Sequence, residues 1–176
     1  MSDKLPQLVM FRSSLEDLQP NSLPEGYSLR HYNSKEDADA WNNIIEESFQ
    51  WQADFDNAIK ADSAFRPERV WFVCHDQLPV ATATAWHRPE WGETVGYLHM
   101  VGLLPKYAGK GLGLQASLAA LHQMKKEGKK SAVLETDDFR LPAIKTYLRL
   151  GFQPKFTHES HPGRWDNVSK LLSPGK

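Results

Sequence analysis

The chain has 176 residues, 40% of them hydrophobic and 24% charged, which is enough for one sizeable buried core and little more. Its 21 Lys and Arg stand against 22 Asp and Glu for a net charge of −1, which argues against any general affinity for nucleic acid or an anionic membrane. Cys74 is the only cysteine, no apolar run approaches the roughly 20 residues of a membrane span, and residues 1–20 mix charges without an apolar core, so a soluble cytoplasmic protein without a signal peptide is expected.

In chain order, Gln7 to Arg12 reads as a short extra strand and Leu15 to Leu18 as a helical turn. A connecting stretch with Pro20, Pro24 and Gly26 leads to the alternating strand Tyr27 to Tyr32. Ser34 and Asp37 have the spacing of a capping box for a helix from Lys35 to about Phe49, which sets Trp41, Ile44, Ile45 and Phe49 on one face. A second helix is expected over Ala53 to Lys60. Val70 to His75 and Val80 to His87 form a hairpin around Asp76-Gln77-Leu78-Pro79. After the turn Pro89 to Gly92 comes a long strand, Thr94 to Leu104, and then a helix from Leu112 that stops at Gly128. Ser131 to Thr136 reads as a buried strand. Pro142 suits the first turn of the next helix and Gly151 its C-terminal cap, and a last strand runs from Phe152 towards Glu159. The order predicts an α+β (mixed α/β) fold with helices on both faces of one sheet.

The most telling segment is the turn Lys106-Tyr107-Ala108-Gly109-Lys110-Gly111-Leu112-Gly113 between the long strand and its helix. Three alternate glycines bare the backbone, and the helix adds unpaired N–H groups and its positive dipole end. The combination suits a phosphate, above all a pyrophosphate. It is not a P-loop, because Gly109-Lys110 is followed by Gly111 and Leu104 stands where the first glycine belongs. Nor does GxGxG match the dinucleotide fingerprint GxGxxG. Lys106 and Lys110 add charge near such a phosphate, or are ordinary surface lysines.

Ala108 to Gly113, together with Arg140-Leu141-Pro142-Ala143-Ile144-Lys145-Thr146-Tyr147-Leu148-Arg149-Leu150-Gly151-Phe152, resembles the two signatures of the GNAT superfamily, the GCN5-related N-acetyltransferases. The resemblance covers about residues 27 to 156. It implies a single domain over 1–176 with an N-terminal extension over about 1–26, and a mostly antiparallel sheet splayed between Thr94–Leu104 and Ser131–Thr136. It also implies acetyl-CoA as acyl donor, with no metal, and a small-molecule or peptide amine as acceptor. Transfer would be by direct attack in a ternary complex, and a homodimer is possible. Gly109, Lys110, Gly111, Leu112 and Gly113 would bind the pyrophosphate, and the Leu103 backbone would meet the pantetheine. The N–H groups of Val101 and Gly102 would lie near the acyl carbonyl, where such donors stabilise an oxyanion. Ala108 departs from the usual Gln or Arg, and Arg140 from the usual Asn.

Tyr147 occupies the family's general-acid position, one helical turn from the small Ala143, with a buried core tyrosine as the alternative. His99 lies near the place where many relatives carry a catalytic glutamate. Its ordinary pKa suits a base, although a strand-face histidine or a water chain would serve the same pattern. Asp137 and Asp138 either hold a cationic amine or cap a turn. Cys74 reads as core, and His158 and His161 lack the further ligands of a metal site. The resemblance implies that the acceptor pocket is shaped by the helices before the hairpin and by the Trp86–Trp91 turn. These carry Trp41, Trp51, Phe55, Trp86 and Trp91 with Glu46, Glu47, Asp54 and Asp56, a lining that would suit a cationic amine, or else amphipathic helix surface and core. Two rival readings remain open: a non-catalytic acyl-CoA sensor on the same fold, and a phosphate- or nucleotide-binding protein that uses only the glycine turn.

Overall fold

The computed structural model describes residues 4–173. Seven strands form one sheet: β1 Leu8–Arg12, β2 Tyr27–His31, β3 Val70–His75, β4 Leu78–Trp86, β5 Val95–Leu103, β6 Ser131–Thr136 and β7 Gln153–Lys155. Their order is β2-β3-β4-β5-β6-β1-β7. Only the β5–β6 pair is parallel. The four α-helices are α1 Lys35–Phe49, α2 Leu112–Lys126, α3 Leu141–Arg149 and α4 His161–Leu172. One buried cluster joins the sheet to α1, around Trp41, Ile44, Ile45, Phe55 and Phe72. The other joins the opposite face to α2, α3 and α4, around Leu112, Leu121, Ile144, Phe152 and Trp165. Helices therefore cover both faces, as the sequence predicts. No helix among the described residues is long and apolar enough to cross a membrane.

The capping residues act largely as expected. Asp37 accepts the N–H groups of Asn33 (2.7 Å) and Ser34 (3.2 Å), and also takes a bidentate pair from Arg30 at 2.7 and 2.8 Å. The Arg30 pair and these N–H groups hold its carboxyl below the usual carboxylate range against the opposing effect of burial. Gly151, at φ +87, ends α3 with the two bonds of a Schellman motif: Phe152 N–H to Tyr147 C=O and Gly151 N–H to Leu148 C=O, both 3.0 Å.

Four expectations need correction. Leu15 to Leu18 is a non-helical turn whose Leu15 is fully buried. Of the expected second helix, Ala53 and Asp54 are not helical, Phe55 is, and Asp56–Lys60 forms a π-turn. Side chains of α1 claim the preceding backbone, since Glu46 accepts the Ala53 N–H and Asn42 the Phe55 N–H. The last strand stops at Lys155, because β1 offers it only three partners. Thr157 then donates its N–H to His161 Nδ1 and the chain turns into α4. Helix α4 is absent from the sequence reading, although Pro162 and the spacing of Trp165, Val168 and Leu172 carry its signal.

Two features of β5 position the site. The strand pairs with β6 only from Val95 to Tyr97, against Ser131 to Val133. Beyond that the strands part, and β6 turns to β1 for its second partner. Opposite, Thr82 faces Gly102 and Thr84 faces His99, so Met100 and Val101 together face Ala83. This is a β-bulge, with Met100 at φ +51. One extra residue inverts the in–out alternation. A Cβ on Gly96 would collide with Met124 of α2, whereas one on Gly102 would lie 3.0 Å from Ile44 Cγ2 and Ser48 Oγ of α1. Without the bulge the two glycines would share a face. With it, each lets a helix dock on its own side.

Candidate active site

The parting of β5 and β6 opens a cleft of about 550 Å³, walled by Val101, Gly102, Leu103, Ala108, Gly109, Gly111, Leu112 and Gly113 on one side and by α3 on the other. The glycine turn sits at its rim. Gly109 (φ +80) and Gly111 (φ +71) adopt left-handed backbone, and Gly111 is the N-cap of α2. No side chain caps that helix and no acidic residue lies in its first turn. A Cβ added at Gly109, Gly111 or Gly113 would meet no atom of the chain within 4 Å. Gly113 is the informative case. Its φ is ordinary and it has no close neighbour, yet glycine in a helix is about 1 kcal/mol worse than alanine. Its bareness serves nothing within the chain and suits the approach of an anion to the N–H groups of the first turn. Lys110 is exposed and does not line the cleft. Lys145 and Arg149, one turn apart on α3, line it together with Arg140.

A second cavity, about 120 Å³, lies deeper between the parted strands, bordered by Tyr97, His99, Val101, Glu135, Arg140 and Tyr147 among others. A third, about 730 Å³, is lined by Asp62, Arg69, Trp86, His87, Arg88, Glu90, His99 and Lys129 among others. The three form a series. Val101, Arg140 and Tyr147 border the first and second, while Arg88 and His99 border the second and third.

Tyr147 is buried in α3, and that burial pushes its phenol up to about 12, with Arg140 opposing. It therefore keeps its proton throughout the ordinary pH range. His99 is flanked by Trp86 at 5.8 Å and Tyr97 at 5.6 Å between ring centroids. Burial, then the charge of Arg88, pull its imidazole down to about 4, so it does not keep its ordinary value and is neutral near pH 7. Arg88 lies over the Tyr97 ring at 4.0 Å and reaches Glu135 at 3.4 Å, which closes the inner cavity from behind. Arg140 reaches from the start of α3 across the cleft to lie 3.8 Å over the Phe49 ring at the end of α1.

On β5, Leu103 lines the cleft and donates its N–H to Ser48 Oγ of α1 at 2.9 Å. Val101, beside the bulge, is the β5 residue that borders both the cleft and the inner cavity.

A family model described as Acetyltransferase (GNAT) family matches residues 33–152. The chain belongs to the GNAT acetyltransferase family. Among the similar relatives of this GNAT chain, the mycothiol acetyltransferase of Pseudarthrobacter chlorophenolicus is 32% identical over 146 residues, which cover 77% of the chain and 45% of that protein. That of Nocardia farcinica is 30% identical over 161 residues, 84% of the chain and 53% of the relative. The chain thus spans about half the length of the curated relatives it matches. A GCN5-related N-acetyltransferase from Kribbella flavida superposes with a TM-score of 0.63 at 25% identity, covering 86% of this chain and 55% of that one. The NatC complex bound to Gag peptide and CoA shares the fold, with a TM-score of 0.62 at 16% identity over 77% of this chain and 92% of that one.

Of the other candidates within the GNAT chain, Glu47, Trp86 and Asp137 line one of the three cavities, whereas Trp41, Phe55, Asp138, His158, His161 and Cys74 line none of them. Trp41 and Phe55 are fully buried core, so of the aromatic set proposed for the acceptor only Trp86 lines the third cavity. The Trp86–Trp91 turn does contribute, through His87, Arg88, Pro89 and Glu90. Asp138 is paired with Arg164 of α4, while Asp137 borders the inner cavity and accepts a hydrogen bond from Gln7. His158 Nδ1 lies 2.9 Å from Ser160 Oγ and His161 Nδ1 takes the Thr157 N–H, so both shape the turn into α4. Cys74 is buried in β3 and its thiol is pushed up by that burial. Arg140, Ser48, Met100 and Asp62 were not singled out as site residues. For Arg140 the departure from the family's asparagine was the available signal, whereas nothing local marks the other three.

Proposed function

We propose that this protein transfers an acetyl group from acetyl-CoA to a small-molecule amine by direct attack in a ternary complex. The observation that carries this reading is the series of three cavities, with Tyr147 at the first junction and His99 at the second. Donor and acceptor can then approach one inner chamber from opposite sides. The amine nitrogen attacks the thioester carbon, the C–S bond breaks, and the sulfur leaves towards Tyr147. The phenol donates to that sulfur. Burial raises a thiolate's basicity as it raises the phenol's, which narrows the mismatch between them. The amine reaches the chamber as the neutral base, its ammonium proton lost to solvent, and His99 takes the second proton from the nitrogen as the C–N bond forms, when that nitrogen is most acidic. Unpaired backbone at the Met100–Val101 bulge is the candidate donor to the oxyanion. The names of the relatives, mycothiol acetyltransferases, favour a small-molecule amine over a peptide.

Calorimetric titration tests the donor site. Acetyl-CoA should bind at least about tenfold more tightly than ADP, because the pantetheine arm adds apolar contacts along Val101 and α3. Equal affinity for the two would reduce the cleft to a phosphate site and remove the reading.

The pH dependence tests the base. With His99 held near 4, kcat/KM should show no inflection close to the free imidazole value of 6.5. His99→Ala should lower the rate by a constant factor, roughly 10²-fold, across about pH 6 to 9. An unchanged rate would exclude His99 as the base. The same shift has a stability consequence of definite sign. The unfolded chain takes up the proton at 6.5 and the folded one only near 4, so stability falls as pH drops through that window and His99→Ala should lessen the fall.

A further inference from the structure

The third cavity has an arrangement of charge that the transfer reaction itself does not require. Three cations line it, and the carboxylates that answer two of them stand behind the wall. Arg69 is held by Glu127 at 2.8 Å and Arg88 by Glu135, neither of which lines this cavity. Lys129 has no carboxylate within salt-bridge distance among the described residues. Its ammonium, half-buried, donates to the Glu93 carbonyl and lies 3.3 Å from His87 Nδ1. An ammonium has three donors, so one remains for something the chain does not supply. Asp62 and Glu90 line the same cavity as exposed carboxylates, likewise without a cation partner among the described residues. His99 lines it with them, and the Asp62 charge opposes the lowering of the imidazole. The cavity therefore holds the base, two carboxylates without ion-pair partners, and a Lys129 ammonium that no carboxylate bonds directly, although its charge acts on Glu127 outside the lining.

We infer that the acceptor is a dipolar molecule, a primary amine that also carries a carboxylate or phosphate. Asp62 attracts its amino end, which gives up its ammonium proton to solvent before the neutral nitrogen attacks, and Lys129 takes its anionic group. A purely cationic amine would satisfy Asp62 and Glu90 but would set a like charge against Lys129 and the two arginines. A neutral amine would leave the Lys129 donor unpaired. Lys129 is thus a specificity residue on the acceptor side, remote from the glycine turn. This inference rests on the acetyltransferase reading for the fate of the amine, but not for the binding of the anionic group.

Two measurements on the full chain separate these. The first is the initial rate with acetyl-CoA and matched acceptors: 2-aminoethyl phosphate against ethanolamine, β-alanine against β-alaninamide, and putrescine as a dication. Each anionic amine should exceed its neutral partner by roughly tenfold or more in kcat/KM, the equivalent of one charge-assisted hydrogen bond. The larger of the two preferences distinguishes phosphate from carboxylate. Lys129→Gln should bring the pairs to within about threefold, Lys129→Arg should keep the preference, and neither should change the affinity for acetyl-CoA. Neutral amines or putrescine performing as well as the anionic ones, or a preference that survives in Lys129→Gln, would overturn the inference. The second measurement is titration of 2-aminoethyl phosphate and β-alanine onto the CoA-saturated protein. If no amine is acetylated, the transfer reading fails. Binding of either anionic amine that Lys129→Gln abolishes would still uphold the charge assignment, and absence of such binding would end it.

Discussion

Tyr147→Phe is expected to lower turnover by about 10²–10⁴-fold, the usual contribution of a positioned acid, while changing the affinity for acetyl-CoA by less than about threefold. The substitution removes one oxygen and leaves the packing alone. The ring still meets Phe152 edge-on at 6.3 Å, and the turn of α3 still faces Ala143. The lost atom belongs to a residue that lines both the donor cleft and the inner cavity. Because burial raises the phenol to about 12, the parent enzyme should also show no alkaline loss of rate from this group below about pH 10. The measurement is steady-state kcat for the two proteins beside calorimetric titration with acetyl-CoA. Equal turnover at equal affinity would leave Tyr147 a core residue and remove the acid from the mechanism. A parallel fall in both would point instead to a damaged cleft, which an unchanged thermal melt would contradict.

Gly113→Glu should move two properties in opposite directions. Gly113 is the second residue of α2, with no side chain from the chain near it. Glutamate there replaces a poor helix former, worth about 1 kcal/mol, and sets a negative charge at the positive end of the dipole, worth roughly 0.3–1 kcal/mol more. The protein without ligand should therefore unfold at a higher temperature. The same carboxylate would stand where the pyrophosphate approaches, so affinity for acetyl-CoA should fall by about 10²-fold or more, from lost N–H donors and like-charge repulsion. Thermal unfolding with and without acetyl-CoA reads both effects in one experiment. A variant more stable alone and no longer stabilised by acetyl-CoA is the expected result. Retained stabilisation by acetyl-CoA would mean that the phosphates do not sit on this turn, and the donor assignment would have to move.

The parts of the site that were legible in the sequence are those in which neighbours in the chain act together. The glycine turn is one: alternate glycines ahead of an apolar helix have few uses, and Gly109 and Gly111 do adopt the left-handed backbone that the pattern implies. The tyrosine helix is another, since Pro142, Tyr147 and Gly151 all hold places defined by helix geometry. The misreadings share a different cause. Ala53 to Lys60 has the composition of a helix, but Glu46 and Asn42 take its first N–H groups. Trp41 and Phe55 read as pocket wall or as core, and the packing of the sheet over them decides for core. His99 has an ordinary imidazole's pKa only if Trp86, Tyr97 and Arg88 are not around it.

The sequence by itself determined the fold class and the bare glycine turn, because each depends on backbone preference or periodicity within a few consecutive residues, and its two signatures carried the family resemblance that nominates Tyr147. Only the tertiary structure decided that β1 would enter the sheet between β6 and β7 and that a bulge at Met100–Val101 would turn Gly102 towards α1. It alone decided that Ser48 would claim the Leu103 N–H, and that Asp62 and Lys129, 67 positions apart in the chain, would line one cavity beside His99. These depend on register and on pairings between distant segments. Such pairings are selected by the summed burial of the whole sheet and its helices, and no short stretch of chain carries that sum.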